Sequence, residues 1–189
     1  MIIYMFKIIC VTNRKLCNED FLDRIKKVLE NKKPDYIILR EKDLTEEDYE
    51  KLANSVKELC EKNDVRLILH SFHKVASRLG VNYVHFPLGV LRGIEKSELE
   101  NFKYGASIHS LDELKEAVDL GVSYVTAGHV FLTDCKKGLP ARGLDFLEEI
   151  CDNSSVPVFG IGGINMENID EIKGTHAAGA CIMSGFMRD

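Results

Sequence analysis

The amino-acid sequence predicts an α/β fold, a compact (β/α)8 barrel of the TIM type. Eight short apolar runs recur along the chain, and they are continuous rather than alternating, as expected for strands that a parallel sheet buries on both faces. A charge-rich segment of helical length follows seven of these runs, which is the order of βαβ units. The 189 residues allow about 24 residues for each of eight units, which leaves no room for an inserted domain.

The boundaries of the elements follow from the apolar runs and from capping residues. The predicted strands are, in chain order, Lys7–Thr12, Asp35–Leu39, Arg66–Leu69, Tyr83–Phe86, Gly105–Ile108, Tyr124–Val130, Val156–Ile161 and Ala180–Met183. Three intervening segments place apolar residues on one helical face, namely Asn18–Lys32, Thr45–Lys62 and Ser110–Leu120. Ser110 and Glu113 form a capping box, and Gly80 and Gly121 end helices before the next strand. We therefore expect one barrel domain over residues 1–189 whose last helix is missing or very short.

Composition and charge exclude several classes of function. The chain has 25 Lys and Arg against 30 Asp and Glu, so its net charge of −5 argues against a nucleic-acid partner. No apolar stretch is long enough to span a membrane, and no signal-peptide pattern is visible at the start. The six cysteines form no CxxC pair, and several lie in apolar runs, which favours reduced, buried thiols. We expect a cytoplasmic protein without a membrane partner.

Glycines after the last two strands indicate a phosphate site. In a barrel of this type the functional residues lie at the carboxyl ends of the strands. Gly162 and Gly163 follow the seventh strand, and Ser184 and Gly185 follow the eighth. Backbone N–H groups at such positions can surround a phosphate that larger side chains would exclude. The alternative is that the two glycines only form a tight turn.

Histidine and basic residues at other strand ends are candidates for catalysis and binding. His129 ends the sixth strand beside the predicted phosphate site, and histidine exchanges protons near neutral pH. Its alternative is a structural histidine bonded to the backbone. Arg40 and Lys42 follow the second strand and suit a phosphate or carboxylate, or they brace the barrel through Glu41.

A metal site is not predicted. His70 and His73 have HxxH spacing, but their segment offers no third ligand.

Several segments together resemble one superfamily, which contains thiamine-phosphate synthase and the thiazole tautomerase TenI. They are Leu39–Lys42, Gly105–Ser110, Gly128–Gly138, Gly160–Ile164 and Met183–Gly185. The resemblance runs from Lys7 to about Met187 and implies a TIM barrel.

The resemblance also bears on the choice between the two activities. The synthase joins a pyrimidine diphosphate to a thiazole phosphate with Mg²⁺, and it has acidic residues for the metal after strands 3 and 4. Here those positions read His70-Ser71-Phe72 and Phe86-Pro87-Leu88-Gly89, without a carboxylate. The segment from Gly128 to Leu139 resembles TenI, whose catalytic histidine falls at His129.

The resemblance therefore implies a cytoplasmic isomerase of thiamine biosynthesis. It would convert a carboxylated dihydrothiazole phosphate to the aromatic thiazole phosphate, with His129 as proton shuttle. The phosphate is expected on Gly162, Gly163, Ser184 and Gly185, and the rest of the substrate on Arg40, Lys42, Ser107, His109, Thr133 and Lys136. No cofactor is expected, since Mg²⁺ belongs only to the synthase alternative.

Two other functions remain open at this point. One is a divergent thiamine-phosphate synthase, a transferase. The other is a non-catalytic barrel that binds a thiazole phosphate and acts as a regulator. A missing last helix would also leave apolar surface that a second copy of the chain could cover, so a homo-oligomer remains open.

Overall fold

Eight parallel strands form a closed barrel in sequence order, as predicted. The computed structural model describes residues 5–133 and 138–188. The strands are β1 Lys7–Val11, β2 Tyr36–Leu39, β3 Arg66–His70, β4 Tyr83–Pro87, β5 Lys103–Ile108, β6 Tyr124–Gly128, β7 Val158–Ile161 and β8 Gly179–Ile182. The barrel closes where β8 pairs in parallel with β1, with Lys7 opposite Gly179 and Cys10 opposite Ile182.

Helices connect the strands along the outside of the barrel. They are α1 Phe21–Asn31, α2 Glu46–Lys62, α3 His73–Leu79, α4 Leu88–Leu91, α5 Lys96–Leu99, α6 Leu111–Asp119, α7 Gly143–Asp152, α8 Ile169–Lys173 and α9 Ser184–Met187, and a 3-10 turn spans Arg14–Leu16. The side chains of Asp20, Thr45 and Ser110 accept hydrogen bonds from the first turns of α1, α2 and α6. The last helix, α9, is a single turn, which confirms the prediction of a very short final helix.

Each predicted strand differs from the observed one by one or two residues at one end or both, and two of these differences have a hydrogen-bonding reason. β7 begins at Val158 instead of Val156, because Pro157 between them has no N–H to donate to a neighbouring strand. β5 begins at Lys103, two residues before the predicted start, because Lys103 and Tyr104 pair with Tyr83 and Val84 of β4.

The core has two parts. The larger lies between the barrel and the helices and includes the fully buried Ile25, Ile37, Val56 and Leu147. The smaller lies inside the barrel, where Ile9, Val11, Ile38, Ile68, Tyr124 and Phe159 fill the lower layers. Beyond this filling, polar side chains line the carboxyl end of the barrel lumen.

The final turn is held by a buried arginine of the first helix. Arg24, which is 7 % exposed, donates from Nε to the carbonyl oxygen of Phe186 at 2.6 Å and from its other end to the carbonyl of Arg188. These bonds tie α9 to α1 and so fix the segment that follows β8.

The described chain also bears on two predictions about the protein's environment. None of its helices is both long enough and apolar enough to cross a membrane. The described cysteines, among them the buried Cys10, Cys60 and Cys181, are free thiols.

Candidate active site

A cavity of about 260 Å³ opens at the carboxyl ends of the strands. Its lining includes most of the site residues that the sequence predicted, namely Arg40, Lys42, Ser107, His109, His129, Thr133, Gly162, Gly163 and Ser184. Gly185, the second residue of α9, is not part of the lining. Lys136 was also predicted to bind substrate, and it lies outside the described residues.

Gly162 and Gly163 follow β7 in a conformation that requires glycine. Their φ angles are +101° and +68°, which L-residues with side chains rarely adopt. A Cβ on Gly162 would overlap His129, at 2.7 Å from its Cα, and one on Gly163 would lie 2.5 Å from the carbonyl oxygen of Leu132. The turn therefore exposes bare backbone to the cavity, directly beside His129.

His129 is buried at the end of the sixth strand, with 7 % of its surface exposed. The following N–H groups, of Val130 and Phe131, donate to the carbonyl oxygens of Ile161 and Gly162 at 2.9 and 3.0 Å, which fixes this segment against β7. The ring nitrogen Nε2 is buried and has no hydrogen-bond partner among the described residues. A buried polar atom without a partner is rare and indicates a position where a ligand can supply the bond.

A buried hydrogen-bond network crosses the floor of the cavity. The Nδ1 atom of His85 lies 3.0 Å from the hydroxyl of Tyr124, and its Nε2 atom lies 2.9 Å from Oγ of Ser107. The hydroxyl of Thr126 donates to the same Ser107 oxygen at 3.1 Å. Burial, with the positive charge of Arg40, lowers the pKa of His85 to about 3, so its imidazole is neutral. The network therefore fixes Ser107 without adding charge.

His70 and His109 lie at the carboxyl ends of β3 and β5, on either side of β4. Burial and the proximity of His85, Arg40 and Lys42 lower the pKa of His70 well below its ordinary value. His109 donates from Nδ1 to the carbonyl oxygen of Gly128 at 2.6 Å, because a carbonyl can only accept. In the neutral ring of His109, Nε2 is therefore the nitrogen that carries no proton.

In the turn after β2, successive side chains point to different sides, so the acidic residue is separated from the two basic ones. Arg40 and Lys42 line the cavity, whereas Glu41 between them is 2 % exposed and is turned toward β1. Its carboxylate accepts from the hydroxyl of Thr12 at 2.7 Å, and from the backbone N–H and the guanidinium of Arg14 at 3.1 and 3.0 Å. The acidic side chain thus braces the scaffold, and the two basic side chains face the site.

The described lining does not fit a magnesium ion. Mg²⁺ takes oxygen ligands, usually carboxylates, and no carboxylate lines the cavity within residues 5–133 and 138–188. In the same ranges no three His, Cys, Asp or Glu side chains are grouped so as to hold a metal. The carboxyl ends of β3 and β4 contribute His70 and Pro87 to the lining, and Asp134 lies outside the described residues.

The fold and the cavity define the class of protein. The chain is a TIM barrel whose polar cavity is built from the loops at the carboxyl ends of its strands, where enzymes of this fold have their active sites.

Comparison with known proteins identifies the family within this class. The family model described as thiamine monophosphate synthase matches residues 8–186, and the chain belongs to this family. A thiamine-phosphate synthase of Fusobacterium nucleatum is 30 % identical over 97 % of this chain and 90 % of its own length. One of Clostridium acetobutylicum is 30 % identical over 96 % of this chain and 87 % of its own length. The structure of thiamine phosphate pyrophosphorylase from Pyrococcus furiosus superimposes with a TM-score of 0.81 at 26 % identity, covering 95 % of this chain and 88 % of that one.

These relatives contradict the expected tautomerase activity. The prediction of a tautomerase was based mainly on the segment around His129 and on the absence of acidic residues after β3 and β4. The similarity to proteins named thiamine-phosphate synthase instead extends over nearly the whole chain, and a structural relative carries the equivalent name. The comparisons therefore favour the transferase over the isomerase.

Two parts of the site were not predicted from sequence. His85 and Tyr124 form the floor network, although no role in the site was predicted for either residue. Alternation along β4 was a usable signal, since Tyr83, His85 and Pro87 share one face of the strand. The anchoring of Glu41 on Thr12 and Arg14 had no sequence signal, because it joins residues 29 and 27 positions apart.

Proposed function

We propose that the protein is a thiamine-phosphate synthase, a transferase that joins a pyrimidine diphosphate to a thiazole phosphate. One observation carries the proposal beyond family membership. The same cavity has two features suited to anions, the bare glycine turn after β7 and the Arg40–Lys42 pair after β2. Two anionic substrates that must meet in one site need two such features.

The thiazole phosphate is assigned to the glycine turn. Its phosphate would accept from backbone N–H groups of Gly162, Gly163 and Ser184, which line the cavity side by side. A side chain at Gly162 would overlap His129, so glycine is what keeps this stretch of backbone in place. This position directs the thiazole ring toward the floor, where Ser107 and His109 lie.

The pyrimidine diphosphate is assigned to the two basic residues that follow β2, Arg40 and Lys42. Arg40 offers a planar fork that matches phosphate oxygens, and Lys42 adds a point charge. Thr133 lines the same cavity and is assigned to this substrate, and Lys136 remains a prediction from sequence.

The reaction is a displacement at the methylene carbon of the pyrimidine. The bond from this carbon to the diphosphate oxygen breaks, and its electron pair leaves with the diphosphate. The lone pair of the thiazole nitrogen forms the new C–N bond, which leaves the positive charge on the thiazolium ring. His129, whose Nε2 has no partner in the described part of the chain, is assigned to donate a hydrogen bond to the departing diphosphate. The chain otherwise acts by holding both rings in line.

The test is product formation from both substrates. The purified protein should form thiamine phosphate, detected after oxidation to its fluorescent thiochrome derivative. The variant His129→Leu should lose about 10²-fold in kcat, because leucine removes one donor to a developing negative charge. His176→Leu is the matched control, because His176 is exposed and pairs with Asp152 away from the cavity.

Two outcomes would contradict the proposal. The first is the absence of thiamine phosphate under all conditions. The second is tight binding of the thiazole phosphate without turnover, which is the behaviour of a regulator.

A further inference from the structure

We propose that the side chains of Arg40 and Lys42, and not a carboxylate-held magnesium ion, neutralise the diphosphate in this site. The inference rests on the proposed function, since it concerns how one of the two substrates is bound.

The first argument is the distribution of charge around the cavity. Arg40 and Lys42 both line it, and within the described residues no carboxylate does. Glu41, the nearest acid in sequence, is 2 % exposed and has Thr12 and Arg14 as its partners. Its carboxylate is therefore occupied by these partners and does not line the cavity.

The second argument is the state of the histidines that face these cations. His85 has hydrogen-bond partners on both ring nitrogens, Tyr124 and Ser107, so it has no lone pair left for a metal ion. Nδ1 of His70 lies 3.0 Å from the hydroxyl of Ser71. The positive charges of Arg40 and Lys42 also disfavour protonation of His70. The same positive charges would oppose the entry of a divalent cation.

The third argument is the chemistry of the leaving group. When the carbon–oxygen bond breaks, the diphosphate gains the electron pair and thus one further negative charge. A fixed cation beside it stabilises this charge more in the transition state than in the bound substrate. A guanidinium fork and an ammonium can supply that stabilisation without a metal.

The principal test compares turnover with and without metal. Thiamine phosphate formation should change by less than about twofold when Mg²⁺ is removed with a chelator. Arg40→Met and Lys42→Met should each lose about 10²-fold or more in kcat/KM, as for other transition-state charge contacts. Lys103→Met is the matched control, because Lys103 lies at the amino end of β5, at the other mouth of the barrel.

A binding measurement makes the inference independent of turnover. Inorganic diphosphate should bind the wild-type protein equally well in chelator and in Mg²⁺ by isothermal titration calorimetry, and Lys42→Met should weaken it at least tenfold. Electron paramagnetic resonance of Mn²⁺ should show no metal bound by the protein beyond that bound by diphosphate alone. If Arg40→Met does not fold, the variant Lys42→Met still tests the inference, because Lys42 is exposed.

The outcomes separate the inference from the proposed function. Product that forms only with Mg²⁺, or diphosphate binding that needs Mg²⁺, would overturn the inference and leave the synthase activity in place. Unchanged activity and binding in both variants would overturn it as well. Failure to form product under either condition would reject the proposed function, and the diphosphate titrations would still decide the inference.

Discussion

Replacing Glu41 with glutamine should loosen the scaffold that carries the basic residues of the site. Glu41 accepts from Thr12 at 2.7 Å and from the guanidinium of Arg14 at 3.0 Å, and it is 2 % exposed. Thr12 in turn accepts from the backbone N–H of Arg40 at 2.9 Å. The chain of bonds therefore runs from Arg14 through Glu41 and Thr12 to the backbone of Arg40.

The expected cost follows from which bonds the amide retains. Its oxygen can still accept from Thr12, but its NH2 group faces the guanidinium of Arg14, which can only donate. Charge-assisted bonds contribute about 1.5–3 kcal/mol each. Arg14 keeps a second partner in Asp43, at 2.7 and 2.8 Å, so we expect the lower part of that range, about 2 kcal/mol. In a domain of this size that corresponds to roughly 4–8 °C in Tm.

Urea unfolding of Glu41→Gln and Asp43→Asn tests this reasoning. Asp43 holds the same arginine but is 41 % exposed, so its replacement should leave the urea midpoint almost unchanged. Glu41→Gln should also raise KM for the pyrimidine diphosphate, because the backbone of Arg40 is less firmly held. A loss below about 0.5 kcal/mol for Glu41→Gln would refute the argument, since surface changes alone reach that size. An equal loss in the Asp43 variant would refute it too.

Three further variants test other parts of the fold and site. Gly162→Ala should cost about 2 kcal/mol or more in urea unfolding, because it places a side chain at φ +101° against His129, whereas Gly89→Ala, with open space around it, should not destabilise. Because the folded pKa of His85 lies near 3, below its unfolded value of about 6.5, stability should fall as the pH drops from about 6.5 to 5, by up to about 1.4 kcal/mol per unit. His85→Gln should make this fall shallower, and an unchanged slope would count against burial as its cause. Arg24→Met should cost about 2–3 kcal/mol, because two carbonyl oxygens of the final turn lose their donor; unchanged amide exchange across residues 184–188 would contradict this.

The barrel could be predicted because its pattern is local. Each strand is a short apolar run, and each long helix has a periodic face, so both can be recognised within a window of a dozen residues. The two short helices after β4 could not be recognised in this way, since α4 and α5 have four residues each and show no period. Their positions depend on how the chain crosses to β5, which is a property of the closed barrel.

The candidate site was predictable to the extent that it lies at strand ends. Topology alone brings the residues after β2, β6, β7 and β8 to one mouth, and they line one cavity. The partners of these residues were not predictable, because they join distant strands. Tyr124 meets His85 across 39 positions and Arg24 reaches the final turn across 162.

The predicted tautomerase activity was wrong because the missing acids after β3 and β4 were interpreted as the loss of a magnesium site, and hence as the loss of the synthase reaction. In the barrel, however, those positions face Arg40 and Lys42 in one cavity, where a carboxylate would pair with the cations and reduce their effect on a bound diphosphate. Arg40 and Lys42 in this cavity thus suit a phosphorylated substrate, in line with the proposed function. Among the described residues, a lining without carboxylates and a lining with two cations form one electrostatic arrangement, and its positive sign bears on the reaction.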